Sequence, residues 1–199
     1  MQARRLAALR LVVINFKSAL MGYAVCISFD DETDALVRNT WSRLAGNYVP
    51  SPLHGSTYCP HATLGVFAPN DVHEFITVCD NLAIKSSPFD VVFSGIGCFS
   101  KDTHAIYAKV EATEQLRRLH AETYAALTDV GIPTGVYYFA DKWIPHCTLA
   151  WKVQSNRLRH FENICKELPF PFTGKAAKLW IFDDTKEVEI KSLLIGRNL

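Results

Sequence analysis

Hydrophobic positions along the chain alternate between two spacings, one typical of strands and one typical of helices. Short apolar or alternating runs are typical of β-strands, whereas apolar residues three and four apart mark one face of a helix. On this basis the sequence predicts strands over residues 23–29, 61–67, 89–99, 104–111, 146–152, 172–182 and 188–195. It predicts helices over residues 32–45, 72–84, 114–130 and 156–168. The predicted order is β-α-β-α-β, repeated once and followed by one more strand.

The two halves of this order repeat in register. An offset of 85 residues carries His61 to His146, and it also carries Asp71 to Asn156, where the second helix of each half begins. A repeat that includes the flanking elements indicates a duplication. We therefore expect an α+β fold of two lobes with approximate two-fold symmetry, built from duplicated β-α-β-α-β units and rich in antiparallel strands.

Length and charge limit the choice of function. The chain has 199 residues, of which 49% are hydrophobic, so it suits one domain and is too apolar for a disordered protein. The net charge is only +1, which argues against a broad basic face for duplex DNA. Residues 1–20 hold four basic residues and no acid, which leaves 17 basic against 20 acidic residues from position 21 onward.

Residues 1–20 are interpreted as an extension outside the fold, so that one bilobal domain covers residues 21–199. An organellar targeting helix is the alternative for this basic segment. The longest apolar run is too short to cross a membrane, and we expect no membrane partner. Six cysteines without a C-x-x-C pair are typical of buried thiols in a reducing compartment, which favours the cytoplasm. We expect a monomer.

One five-residue block occurs twice and carries the candidate chemistry. Residues 60–64 read Pro-His-Ala-Thr-Leu, and residues 145–149 read Pro-His-Cys-Thr-Leu. Alternate side chains of a strand share a face, so His61 projects with Thr63 and His146 with Thr148. Imidazoles titrate near neutrality, so one can accept a proton while the other donates one. The two threonine hydroxyls can donate hydrogen bonds to the non-bridging oxygens of a phosphate.

The surroundings of both blocks favour an anion over a metal ion. No acidic residue occurs over residues 35–70 or 142–161, so carboxylate ligands for a divalent cation are missing from both segments. Zinc held by His61 and His146, with His54 or another histidine as a third ligand, is an alternative, but it leaves the paired threonines unexplained. We expect no metal and no cofactor.

The two blocks resemble the paired His-x-Thr/Ser motifs of the two-histidine (2H) phosphoesterase superfamily, and most closely its 2′-5′ RNA ligase and RNA 2′,3′-cyclic phosphodiesterase group. The turn Ser94-Gly95-Ile96-Gly97-Cys98-Phe99 is similar to a Gly-x-Gly-x-Phe turn of that group, and the likeness covers residues 23–197. The resemblance implies two lobes whose motif strands flank a central cleft. It also implies cleavage of a cyclic phosphate or a 2′-5′ phosphodiester without metal, with His61 as proton donor and His146 as proton acceptor.

Aromatic and basic residues close to the motifs are candidates for substrate binding. Tyr138, Phe139, Lys142 and Trp143 precede the second block, and Tyr58 precedes the first. A nucleobase can stack on such rings and Lys142 can attract phosphate, although the same rings can simply pack the lobe. The expected partner is a nucleotide or an RNA end. A nucleotide-binding module without catalysis and an RNA 2′-5′ ligase are the alternative functions.

Overall fold

The strands of both halves join in one antiparallel sheet. The computed structural model describes residues 22–46, 53–100 and 104–196. Within these ranges the strands are β1 Tyr23–Phe29, β2 His61–Pro69, β3 Phe89–Ser100, β4 His104–Val110, β5 Gly131–Pro133, β6 His146–Val153, β7 Phe172–Asp183 and β8 Val188–Leu194. The helices are α1 Asp31–Ala45, α2 Val72–Lys85, α3 Glu114–Leu127 and α4 Leu158–Cys165. The predicted α+β fold is confirmed.

The strand order has the symmetry of a duplication. The sheet runs β5-β2-β1-β7-β3-β4-β6, and β8 pairs with the outer part of β7. The set β2-β1-β7 is therefore the counterpart of the set β6-β4-β3, with the two-fold axis between β7 and β3. Each half of the chain gives its last strand to the opposite lobe, because β7 pairs with β1 and β3 pairs with β4.

One strand was not predicted, and the bounds of two predicted helices were wrong. Residues 131–133, predicted as a loop, form the edge strand β5 on the end of β2. Helix α3 ends at Leu127 rather than at residue 130, and the next residues turn back into β5. Helix α4 is only eight residues long, because a 3-10 turn at Ser155–Arg157 replaces its predicted start and the helix ends at Cys165.

Local capping and alternate burial explain why the elements form where they do. Asp71 begins α2 by accepting hydrogen bonds from the backbone N–H groups of His73 and Glu74, at 2.7 and 3.0 Å. Within the two motifs, the apolar residues that follow each histidine and each threonine are completely buried, as the alternation predicts; they are Ala62, Leu64, Cys147 and Leu149. The histidines and threonines between them are only partly buried, so they face the other side of the strands.

All six cysteines are free thiols, and Cys26, Cys79, Cys147 and Cys165 are buried, in agreement with the sequence. Within the described part of the chain, no helix is long and apolar enough to span a membrane. The predictions for residues 1–20 lie outside the described residues.

Candidate active site

Strands β2 and β6 carry the two motifs and lie against each other. They are separated by four strands along the sheet, yet they are in contact, so the sheet bends until its two motif strands meet. The backbone N–H of His61 hydrogen-bonds to the thiol of Cys147, which ties the first residue of β2 to the start of β6. Contact between β2 and β6 places His61 and His146 close enough for their charges to interact, and Thr63 and Thr148 lie two residues further along the same strands.

Both motif histidines are held by the same kind of hydrogen bond, between the ring and the backbone carbonyl oxygen two residues earlier. Nδ1 of His61 lies 2.7 Å from the carbonyl oxygen of Cys59, and Nδ1 of His146 lies 2.7 Å from that of Ile144. A carbonyl oxygen can only accept, so each Nδ1 carries the hydrogen in the neutral ring. Nε2 of each ring is then the atom left to accept or donate a proton at a substrate.

Burial makes both imidazoles weak bases in the free protein. Burial lowers the pKa of His61 to about 4, against the effect of the Cys59 carbonyl, and the charge of nearby His146 lowers it further. Burial also lowers the pKa of His146, while its hydrogen bond to Ile144 opposes that change. Both rings are therefore neutral at pH 7 until an anion enters the cleft and favours the protonated form.

Aromatic rings flank each histidine on its protein side. The His61 ring lies 4.9 Å from the ring of Trp180 and 6.4 Å from that of Tyr58, measured between centroids. The His146 ring lies 5.0 Å from Phe99 and 5.1 Å from Tyr107. These contacts restrict both imidazoles and explain much of their burial.

A large aromatic ring lies beside each motif, but it comes from a different strand in each of the two lobes. Beside the first motif, β1 contributes the small Cys26 and β7 contributes Trp180. Beside the second, β4 contributes Tyr107 and β3 contributes Gly97. A Cβ atom at Gly97 would collide with Cζ of Tyr107, so only glycine leaves room for that ring.

The threonines are fixed through their backbone carbonyls by two tryptophans. Nε1 of Trp143 donates to the carbonyl oxygen of Thr63 at 2.9 Å, and Nε1 of Trp41 donates to that of Thr148 at 3.1 Å. The side chain of Thr63 also hydrogen-bonds to the Tyr138 hydroxyl. Both threonine hydroxyls thus sit on firmly held backbone next to the histidines.

The predicted substrate-binding residues fall into two groups. Tyr58 lies beside His61, and Tyr138 and Lys142 line a cavity next to His146. Trp143 instead stacks on the buried His120 at 4.0 Å, and Phe139 meets the edge of Tyr124, 6.1 Å away. Both of these rings pack against side chains of α3.

The cavity has a volume of about 560 Å³ and opens beside His146. Its walls come from β3, β4, β6 and the segment before β6, and they are Phe99, Ser100, His104, Ala105, Tyr137, Tyr138, Lys142, Ile144, His146 and Trp151. His104 and Trp151 were not predicted from the sequence as candidates, and neither were the flanking residues Trp180 and Tyr107. Trp151 lies on β6 itself, five residues after His146. Strand pairing brings His104, Tyr107 and Trp180 to the motifs, so their spacing in the chain carries no signal.

Several carboxylates approach the His61 side of the cleft in space: Glu189 accepts a hydrogen bond from Nε1 of Trp180 at 2.8 Å, and Asp184 and Glu187 lie near Tyr58. Asp184 follows β7, and its charge contributes to raising the pKa of Tyr58 and Tyr138. Burial raises the pKa of Asp184 itself, and the nearby Glu187 and Asp183 raise it further. The segments around both motifs lack acidic residues, but carboxylates from elsewhere in the chain approach one side of the cleft. The two sides are therefore not equally suited to an anion.

The described side chains around the cleft do not form a metal-binding site. Across residues 22–46, 53–100 and 104–196, no three histidine, cysteine, aspartate or glutamate side chains gather closely enough to hold a metal ion. Nδ1 of His54, the third ligand of the zinc alternative, lies 3.3 Å from the hydroxyl of Ser42.

Comparisons with known proteins agree with the fold and the motifs. The family model described as the 2′-5′ RNA ligase superfamily matches residues 34–186. The structure of TT0787 of Thermus thermophilus is similar with a TM-score of 0.59 and 16% identity, over 90% of this chain and 100% of that one. Escherichia coli LigT complexed with 3′-AMP gives a TM-score of 0.52 and 12% identity over the same shares of the two chains. No curated protein matches this chain in sequence. Because the family model covers most of the chain, including both His-x-Thr motifs, the protein belongs to the 2′-5′ RNA ligase superfamily of two-histidine phosphoesterases.

Proposed function

We propose that this protein is a phosphodiesterase that opens 2′,3′-cyclic phosphate ends, or related cyclic or 2′-5′-linked nucleotides, by paired-histidine acid–base catalysis. The observation that carries the proposal is the arrangement of His61 and His146, each with Nδ1 tied to a carbonyl and Nε2 left for a substrate. A phosphorus atom between the rings would have a proton acceptor on one side and a proton donor on the other.

Besides the substrate, the reaction needs one water molecule and side chains of this protein. One imidazole takes a proton from water as the water oxygen bonds to phosphorus. The bond from phosphorus to a ribose oxygen breaks, and the second imidazole gives that oxygen its proton. Thr63 and Thr148 donate hydrogen bonds to the non-bridging oxygens, where negative charge builds up. The product is a phosphate monoester.

A structurally similar protein has been crystallised with nucleotides. Escherichia coli LigT has been crystallised with 3′-AMP, and separately with ATP and with NADP⁺. For this chain we propose a nucleotide or RNA-end substrate, no metal or cofactor, a monomeric state, a cytoplasmic location, and residues 21–199 as the functional domain.

The direct test is product analysis with matched variants. Wild-type protein is incubated with 2′,3′-cyclic nucleotides and with 2′-5′ oligoadenylate, and products are separated by chromatography. We expect His61→Ala and His146→Ala each to lower turnover by about 10²–10⁴-fold with unchanged circular dichroism. His73→Ala, an exposed histidine on α2, is the control that should keep full activity.

The alternatives give different results in the same assay. Full turnover by either motif variant would reject the proposal. Tight binding of cyclic nucleotides without turnover would indicate a binding module, and a joined RNA product would indicate a ligase. We expect EDTA to leave activity unchanged, whereas a loss that zinc restores would support a metal-dependent site.

A further inference from the structure

Among the described residues, the hydroxyl of Thr63 has hydrogen-bond partners that the hydroxyl of Thr148 lacks. The thiol of Cys26, on the neighbouring strand β1, donates to Oγ1 of Thr63 with 3.5 Å between sulfur and oxygen. The hydroxyl of Tyr138 hydrogen-bonds to the same side chain. In the second motif, the indole of Trp41 contacts the backbone carbonyl of Thr148 and not its hydroxyl.

This difference follows from the sequences of the two halves. The offset of 85 residues carries Leu53 to Tyr138, and the side chain of leucine has no polar atom. Beside the second motif, the strand neighbour of Thr148 is Tyr107 and not a cysteine. The duplication has therefore kept the threonine of each motif, while the residues that hold the threonine hydroxyl of the first motif have no counterpart at the matching positions.

Both partners of the Thr63 hydroxyl keep their hydrogens at neutral pH. Burial raises the pKa of Tyr138 to about 12 and also raises the pKa of Cys26, and the nearby carboxylate of Asp184 raises both further. A protonated phenol and a protonated thiol can each donate one hydrogen bond. A threonine oxygen accepts two hydrogen bonds and carries one hydrogen of its own. With both acceptor positions filled, the hydrogen of Thr63 is left for another acceptor, such as a phosphate oxygen.

Tyr138 is itself held in place by helix α3. It ends the 3-10 turn Val136–Tyr138, and its carbonyl oxygen accepts a hydrogen bond from Nε2 of His120 at 2.8 Å. His120 is only 4% exposed and stacks on Trp143, whose Nε1 donates to the carbonyl oxygen of Thr63 at 2.9 Å. The segment before β6 therefore contacts Thr63 twice, at its carbonyl oxygen and at its hydroxyl, and α3 fixes that segment.

Resting on the proposed function, we propose that Tyr138 and Cys26 are positioning residues that direct the hydroxyl hydrogen of Thr63 toward a non-bridging oxygen of the substrate phosphate. Negative charge builds up on these oxygens in the transition state, and a donor that is already aligned stabilises this charge without reorganisation. A chain of hydrogen bonds from tyrosine through threonine to phosphate also polarises each member, which strengthens the bond to phosphate. Thr63 is thus aligned before the substrate binds, whereas the hydroxyl of Thr148 is aligned by the substrate itself.

Tyr138→Phe removes the phenol hydroxyl and keeps the ring. We expect kcat for a nucleoside 2′,3′-cyclic phosphate to fall about tenfold and KM to change by less than about twofold, because the lost alignment matters most in the transition state. Cys26→Ala should lower kcat by about threefold, since a thiol is a weaker donor. Tyr124→Phe is the matched control and should keep the wild-type kcat. Tyr124 also packs on His120, but its buried hydroxyl has no hydrogen-bond partner among the described residues.

A double-mutant cycle separates the positioning of Thr63 from a general effect on the fold. We expect Thr63→Val to lower kcat by about 10²-fold. In that background Tyr138→Phe should lower kcat by less than about twofold, because no hydroxyl is left to position. In the Thr148→Val background the loss of about tenfold should remain. Equal losses in the two backgrounds, or an unchanged kcat of Tyr138→Phe alone, would overturn the proposal.

Phosphorothioate substrates give a second readout that needs no double variant. In the two diastereomers of a nucleoside 2′,3′-cyclic phosphorothioate, sulfur replaces one or the other non-bridging oxygen, and sulfur is a weak hydrogen-bond acceptor. We expect Tyr138→Phe to slow one diastereomer by about tenfold and the other by less than about twofold, because Thr63 faces only one of the two positions. Equal slowing of both diastereomers would contradict the positioning role.

Failure of the proposed function would be distinguishable in the same data. Wild-type protein that turns over no cyclic or 2′-5′-linked nucleotide would reject the proposed function, and the positioning role with it. Turnover by the wild-type protein without an effect of Tyr138→Phe would overturn the positioning role alone. Circular dichroism checks that each variant is folded, and the same cycle with Cys26→Ala decides the question if Tyr138→Phe does not fold.

Discussion

At the scale of single residues, the two motif histidines share one anchoring contact and differ in what surrounds them. Each Nδ1 is tied to a carbonyl two positions earlier, so the motif orients its own imidazole with local backbone. Apart from Tyr58, which precedes His61 by three residues, the aromatic neighbours come from other strands, and their burial of the rings makes both imidazoles harder to protonate than histidine in water. The motif thus sets the orientation of each imidazole ring, and the fold sets the pKa of that ring.

The lowered pKa values predict an acidic pH optimum for the proposed phosphodiesterase activity. The histidine that accepts a proton must be neutral, which it is above its pKa, and the one that donates must be protonated, which it is below its pKa. Because both values lie below the ordinary 6.5, we expect kcat/KM to be highest between about pH 4 and pH 6.5. Initial rates under kcat/KM conditions measure this. A maximum above pH 7 would contradict it.

The residues of the motifs could be predicted from the chain, but their surroundings could not. Alternation within each five-residue block distinguishes His61 and Thr63 from the buried Ala62 and Leu64. Trp180 is far from His61 along the chain and meets it only because β7 pairs with β1. A pattern of apolar positions carries no information on which strands become neighbours.

At the scale of elements, the two motif strands are braced by indole groups from outside the sheet. Trp41 of α1 donates to Thr148 on β6, and Trp143, just before β6, donates to Thr63 on β2. Each of these hydrogen bonds therefore fixes the backbone of a threonine whose hydroxyl is proposed to contact phosphate. Trp143 was expected from the sequence to contact substrate, but its packing favours this positioning role.

Replacing either tryptophan by phenylalanine removes the N–H donor and keeps a ring in place. We expect Trp41→Phe and Trp143→Phe each to lower the free energy of unfolding by about 1–3 kcal/mol, because a partly buried carbonyl loses its partner. We also expect kcat to fall severalfold with little change in KM, since the threonine hydroxyls lose alignment in the transition state. Urea unfolding and steady-state kinetics measure both effects. A variant with lower stability and unchanged kcat would show a structural role only.

The elements themselves were largely predicted, while their pairing was not. The repeat along the chain indicates two equal units, whereas in the structure each unit gives its last strand, β3 or β7, to the other lobe. The edge strand β5 was missed because Gly131–Pro133 carries turn-forming residues and only pairing with β2 makes it a strand.

At the scale of the whole molecule, folding buries three histidines in surroundings that disfavour the protonated imidazole ring. Burial lowers the pKa of His61, His146 and also His120, whose Nε2 lies 2.8 Å from the Tyr138 carbonyl. His120 stacks on Trp143, so the histidine packed behind the site shares this property with the two inside it. The fold and the two motif histidines therefore respond to acid together.

Acid should accordingly destabilise the protein well above the pH at which most carboxylates titrate. A histidine with a lowered pKa in the folded state binds fewer protons there than in the unfolded chain, so stability is lost as pH falls from about 6.5 toward the folded pKa. Each such group contributes at most about 1.4 kcal/mol per pH unit within its window. The raised pKa of Asp184 acts in the opposite sense, because that carboxyl binds its proton more readily in the folded state. We expect Tm, followed by circular dichroism, to fall steadily between about pH 6.5 and pH 4, and to fall less steeply in His61→Gln and His120→Gln. A Tm that stays constant over this interval would contradict the burial of neutral imidazoles on which both the fold and the proposed chemistry rest.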